Sequence, residues 1–137
     1  MDVTLHWDDD EETIVRWEFT GFMGRVDYII PVNETAGMGI MAGGRADVIV
    51  NMGWKLAFPL RPMPEMKKPI LATRSYGLGC VVMVVKNPLA RWLIQSRLLD
   101  DEEMRQVCAI TPSLAAARVK IEQMRASAPP AGMAFTK

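Results

Sequence analysis

One histidine, two cysteines and no surplus of either charge are what this chain of 137 residues brings to chemistry. Because His6 stands alone, a Ser-His-Asp or Cys-His arrangement would have to draw on the first strand, far from the strand ends where α/β sites form. A hairpin histidine without a catalytic role is the better reading. No cysteine–histidine spacing suits zinc, and no metal or cofactor is expected. Cys80 and Cys108 each lie inside an apolar run, where a thiolate would be desolvated. Core packing in a reducing compartment therefore fits them better than redox work or a disulfide framework. Sixteen basic and sixteen acidic side chains cancel, leaving no long-range field for nucleic acid or an anionic membrane. The apolar runs fall well short of the ~20 residues that span a bilayer. Residues 1–7 lack a basic start and an apolar h-region, so no signal peptide is expected and a cytoplasmic location follows.

What is present is a globular composition, half of it apolar, enough for one domain with a true core. The clearest unit is Cys80-Val81-Val82-Met83-Val84-Val85, a continuous β-branched run of the kind seen in strands covered on both faces. Asn87 after it suits a helix N-cap, and Pro88 the first helical position, whose N–H would lack a helical partner anyway. Upstream, Val3, Leu5 and Trp7 alternate with Thr4 and His6, and Ile14, Arg16 and Glu18 with Val15, Trp17 and Phe19. These are two strands of a hairpin around residues 8–12, which are all acidic. The five carboxylates lack the spacing, the glycine and the distal Glu of an EF-hand, so a solvated turn is expected.

Over residues 21–44, Val26, Ile29, Ile30, Met38 and Met41 have helical spacing, although 26–32 would also pass as a short strand. A helix is favoured, with Asp27 as a possible N-cap and Pro31 near the first turn, where it does least harm. Gly37-Met38-Gly39-Ile40-Met41-Ala42 has the glycine spacing of a dinucleotide fingerprint, but a strand over 45–52 follows where that mechanism needs a helix. A glycine-rich helix end is the better account. A proline-interrupted loop over 53–62 and a helix opening near Met63 and running to Tyr76 come next. A last strand is read over 105–110. Thr111-Pro112 then repeats the cap-and-proline opening before a final helix with Leu114, Ala117, Ile121 and Met124 on one face. Residues 126–137, with Pro129-Pro130, are expected to form a flexible Ala/Pro-rich tail. The order predicts a single α/β domain with a mixed, mostly parallel sheet of about five strands and about four helices, joined by right-handed crossovers.

Ile14-Val15-Arg16-Trp17-Glu18-Phe19-Thr20-Gly21, Ala46-Asp47-Val48-Ile49-Val50-Asn51-Met52, Val81 through Arg91, and Thr111-Pro112-Ser113-Leu114-Ala115-Ala116-Ala117 together resemble the STAS-like proteins. That family includes anti-sigma-factor antagonists and the cytoplasmic domains of sulphate transporters. The resemblance covers residues 3–125 and implies a STAS-like fold and a non-enzymatic, usually bacterial, protein-interaction or ligand-sensing module. In phosphorylated members the loop after the third strand carries a serine that accepts phosphate at a helix N-terminus. Here neither serine nor threonine occurs from Asn51 through Lys68, so switching by phosphorylation there is not expected.

The candidate working surface is the carboxyl edge of the sheet, made by Phe22 and Met23, by Asn51, Trp54, Lys55, Phe58, Met63 and Met66, and by Lys86, Asn87 and Arg91. Trp, Met and Arg favour interface centres, and methionine-rich loops adapt to their partners. Lys55, Arg61, Lys67, Lys68 and Arg74, with Lys86 and Arg91, would give that edge a positive rim able to meet an acidic partner or an anion. The same loop could instead fold back as plain cover for the sheet end. A protein partner or a homodimer is expected. The alternative is a carrier of a small apolar ligand or lipid, with 53–66 as its lid. Convergent acid, base and donor groups for a hydrolase or nucleotide enzyme cannot be assembled. Replacing Trp54 and Phe58 together by Ser is expected to abolish association while leaving thermal stability nearly intact. Native mass spectrometry beside a thermal melt checks this, and a large fall in Tm without change of mass would make the loop core.

Overall fold

In the computed structural model, residues 3–19, 29–53, 67–73, 77–100 and 102–127 are described. A hairpin opens the chain, with β1 (Val3–Trp7) antiparallel to β2 (Ile14–Phe19). Then follow α1 (Ile29–Met41), β3 (Ala46–Gly53), α2 (Lys67–Thr73), β4 (Leu78–Val85), α3 (Pro88–Leu98), α4 (Glu102–Val107), β5 (Cys108–Thr111) and α5 (Leu114–Ser127). The strands lie side by side in chain order, β1-β2-β3-β4-β5, and all neighbours after the hairpin are parallel. This is the predicted single α/β domain with a mixed, mostly parallel five-stranded sheet. Among the described residues it has five helices where about four are expected.

Sequential strand order decides where the helices go. Successive crossovers of one hand, each moving one strand further, return every connecting helix to the same face. Val32 and Ala36 of α1, Ile70 of α2, Ile94 of α3, and Met104 and Val107 of α4 accordingly share one core with Val15, Trp17, Val48, Val50, Val81 and Met83. Among the described residues only α5 covers the other face, packing Ala117 and Ile121 on Ile14, Ile49, Cys80, Val82 and Val84. All eight residues of β4 are buried, as its unbroken apolar run predicts.

The helix over the middle of the 21–44 region forms, with Pro31 in the first turn of α1. Buried Trp17 donates its Nε1–H to Thr35 Oγ1 at 2.9 Å, and that hydroxyl donates to Pro31 O at 2.7 Å, so the indole N–H is satisfied inside the core. Gly37 and Gly39 lie within α1 and a strand follows, so they do not form a strand-to-helix phosphate loop. The last strand differs from its prediction over 105–110. Glu102 and Glu103 fill a helical first turn and Arg105 the last, as the helix dipole favours, while Met104 and Val107, three apart, bury one face. The strand starts only at Cys108. The cap of the final helix also shifts. Ser113 Oγ accepts from Ala116 N, so Ser113 and not Thr111 is the cap, and the helix runs to Ser127 inside the expected tail.

At the start of β3 and β4 the ladder slips. Ala46 pairs with Leu78 but Val48 with Val81, so β4 carries an extra residue. The Asp47 carboxylate fills the gap, with Oδ1 accepting from Cys80 N at 2.8 Å and from its Sγ at 3.3 Å. A Cβ at Gly79 would collide with that oxygen, which is why glycine stands there. Gly77 is needed for a second reason: its φ is +106°, and a Cβ there would collide with Ala36 O. Gly79→Ala should therefore displace the Asp47 carboxylate and cost roughly 2 kcal/mol or more of stability, read by urea denaturation. An unchanged midpoint would mean that Asp47 does not hold this position.

Candidate functional site

The expected working edge begins where β4 ends. Asn87 has extended φ and ψ of −74° and 119°, and its Oδ1 accepts from Leu89 N at 2.9 Å and Ala90 N at 3.3 Å, capping α3. Pro88 occupies the first helical position, as predicted. Arg91, one turn on, sends Nη1 back to the carbonyls of Val85 at 2.9 Å and Lys86 at 3.1 Å. The guanidinium is thereby fixed against the strand exit, and Lys86 stands exposed beside it. These three predicted residues are brought together.

Asn51 is not part of that group. It lies on β3 opposite Glu18 and Val84, and its Nδ2 donates to Glu18 Oε1 and Oε2 at 3.0 and 3.1 Å. Phe22, Met23, Trp54, Lys55, Phe58, Met63 and Met66 lie outside the described residues, as do Arg61 and Arg74 of the expected rim.

The residue that the sequence reading passed over is Trp92. Leu89 and Trp92 are each 64% exposed, three apart on α3 and so on one face, while Ile94 turns into the core. An indole this exposed on a regular helix, next to a large aliphatic side chain, is the most solvent-presented apolar pair near the predicted edge. The spacing of α3 shows more apolar residues than one buried face can take, but not which of them stays outside.

A second cluster sits on the sheet face that α5 leaves open. His6 pairs with Arg16 and Thr4 with Glu18 across the hairpin, all on the side opposite Val15 and Trp17. Arg16 donates Nη1–H to Asp8 Oδ1 at 2.7 Å, its Nη2 lies 2.8 Å from His6 Nε2, and its Nε lies 2.6 Å from Glu18 Oε2 without hydrogen-bond alignment. Since a guanidinium only donates, His6 Nε2 is the acceptor. Arg118 of α5 closes the cluster with Nε and Nη2 on the two Asp8 oxygens, both at 2.9 Å.

This corrects the expectation of a wholly solvated acidic turn. The Asp8 side chain is 2% exposed and lies between two guanidinium groups. Asp9 accepts from the backbone of Thr13 and Ile14 and from the Thr13 hydroxyl. Burial would raise the Asp9 carboxyl, but those hydrogen bonds outweigh it and the net shift is downward. For Asp8, hydrogen bonding from Arg118 leads the causes that hold the carboxyl below its usual range, against the opposing pull of burial.

Neither cysteine forms a disulfide, and both are buried. Burial first, then the negative Asp47 beside it, pushes the Cys80 thiol far up, which keeps it protonated and unreactive. Between Trp17, Val32, Ile70, Leu78 and Met83 lies an apolar cavity of about 10 Å³, room for no more than one water. Among the described residues no group of three or more His, Cys, Asp or Glu is placed to hold a metal ion, and no helix is long and apolar enough to cross a membrane.

The Asp8 cluster sets a pH dependence. Its folded-state pKa lies below the unfolded value, so the carboxylate contributes stability above about pH 4. That contribution is lost as pH falls through the depressed folded value. Asp8→Asn should therefore destabilise the protein at neutral pH by roughly 1–3 kcal/mol and flatten the loss of stability in acid, as followed by urea midpoints across pH. Parallel wild-type and variant curves would remove Asp8 from this role. Comparison of the chain with protein-family models, curated proteins and solved structures finds no match.

Proposed function

We propose that this chain is a non-enzymatic regulatory or protein-interaction module of STAS-like type, working in a reducing, cytoplasmic setting and lacking the serine that phosphorylated members carry. The observation that carries the reading is the outward-facing pair Leu89 and Trp92 on α3, one turn from the strand exit where Lys86, Asn87 and Arg91 gather. Exposing an indole to water gives up burial worth about 2 kcal/mol or more, which a partner surface would recover. The pair lies within one helical turn of three residues of the expected edge, Lys86, Asn87 and Arg91.

The buried thiols support a reducing compartment, since nothing there favours a disulfide. The polar side chains best placed for chemistry are engaged in structure: Arg91 on carbonyls, Asn87 on the helix cap, Arg16 and Asp8 on one another. The partner is another protein or a second copy of the chain, joined through the β4–α3 edge. Native mass spectrometry of wild type and a Leu89→Ser/Trp92→Ser variant, alone and mixed with clarified cell extract, tests this. Wild type should form a dimer or a hetero-complex that the variant does not form, while their thermal melts coincide. Identical mass profiles from two equally folded proteins would sink the reading.

A further inference from the structure

We infer that the β4–α3 edge receives an acidic segment of a partner protein, which lays apolar side chains on Leu89 and Trp92 and a carboxylate on the side of Lys86 and Arg91. The inference rests on the interaction reading and adds the chemistry of the partner.

Charge carries it. Lys86 is exposed, and no carboxylate among the described residues reaches its amino group. Arg91 has Nη1 tied to two backbone carbonyls, which fixes the plane of the guanidinium. Among the described residues its Nη2 and Nε hydrogens meet no carboxylate, which leaves the other edge of an oriented guanidinium as a donor pair toward them. Arginine held in this way matches the two oxygens of a carboxylate better than a freely rotating ammonium does. The sequence of α3, Pro88-Leu89-Ala90-Arg91-Trp92-Leu93-Ile94-Gln95-Ser96-Arg97-Leu98, contains no acidic residue, and the helix presents its positive end here. Among the described residues the charge at this helix start is therefore of one sign, within one turn of the apolar pair along the chain.

Other occupants fit less well. Nucleic acid binding grows with the number of phosphates neutralised, and a neutral chain with two cations at this spot offers too few. A second copy could bring its own acidic turn, yet that turn sits at the opposite edge of the sheet, where Ile14 pairs with Asp47 at the start of β3. Residues 8–12 also include nothing apolar to set on Trp92.

The test uses two fluorescein-labelled peptides with the same leucine positions, one carrying Glu and the other Lys at every polar position, followed by fluorescence anisotropy against the full chain. The Glu peptide should bind, weaken as salt rises, and lose about ten-fold in affinity with Lys86→Glu. Trp92→Ser should lose binding altogether, and Arg91→Lys should fall between wild type and Lys86→Glu, because it keeps the charge but not the fork. Binding of the Lys peptide as tightly as the Glu peptide, no binding of either, or indifference to both salt and Lys86→Glu overturns the acidic assignment. If Leu89→Ser/Trp92→Ser still changes the native mass profile in that event, the broader interaction reading stands and only the partner chemistry is wrong.

Discussion

Five strands laid down in chain order leave a sheet with two faces to cover and unequal means of covering them. Four helices return to one face, so that face becomes the main core and its strand positions are uniformly apolar. Among the described residues the other face has α5 alone, and one helix about 10 Å wide does not shield five strands spaced ~4.8 Å apart. Composition follows from this shortfall. In the row His6, Arg16, Ile49, Val82, Ala109 side chains pass from polar to apolar as the sheet passes beneath α5, and the row Thr4, Glu18, Asn51, Val84 does the same before ending on Thr111, whose hydroxyl donates to Ser113 O. The uncovered half is satisfied by its own ion pairs and hydrogen bonds instead of by a helix.

Two arginines of α5 connect the halves. Arg118 reaches Asp8 beyond the hairpin, and Arg125, two turns later on the same side of the helix, donates to Asp47 Oδ2 at 2.6 Å and to Thr13 O at 3.3 Å. Between them Ala117 and Ile121 supply the apolar seam. A buried carboxylate with one partner removed is costly, because its desolvation is no longer offset. The seam sets where α5 lies and the ion pairs set its register along the sheet. Asp47 does this while also completing the β3–β4 ladder through Cys80 N, so the bulge, Gly79 and the last turn of α5 form one mechanical unit.

What could be read from the sequence divides along the same lines. Local signals were sufficient for the hairpin, for β4 and for the Asn87-Pro88 helix start, since alternation, β-branching and capping act within a few residues. The helix α4 was missed because Met104, Val107 and Cys108 look like one apolar run, and only the glutamates before it mark a helical first turn. The acidic turn reads as solvated from sequence because its decisive partner, Arg118, lies 110 residues away in the chain. Asp47 gave no warning for the same reason, as its meaning depends on a glycine across the ladder and an arginine in the last helix. Of the candidate site, Lys86, Asn87 and Arg91 were legible because they sit at a turn whose geometry is local. Trp92 was not singled out, since spacing alone does not say which of several apolar faces a short helix will bury.

That helix is the place where stability and use part company. Asn87, Pro88, Ile94 and the Arg91–carbonyl bonds already anchor α3 without help from Leu89 or Trp92. A residue that contributes little to its own fold, and that enlarges the exposed apolar surface, adds a liability toward nonspecific association. The cations beside it bear on that liability. Like charge on neighbouring molecules disfavours two such patches meeting face to face, and it favours a partner that brings the opposite sign. On the proposed reading, an apolar pair beside positive charge discriminates among partners by the sign of the charge they bring. On that reading, Arg91 held on backbone carbonyls and Asn87 held on the helix cap would lose less entropy when the edge is occupied.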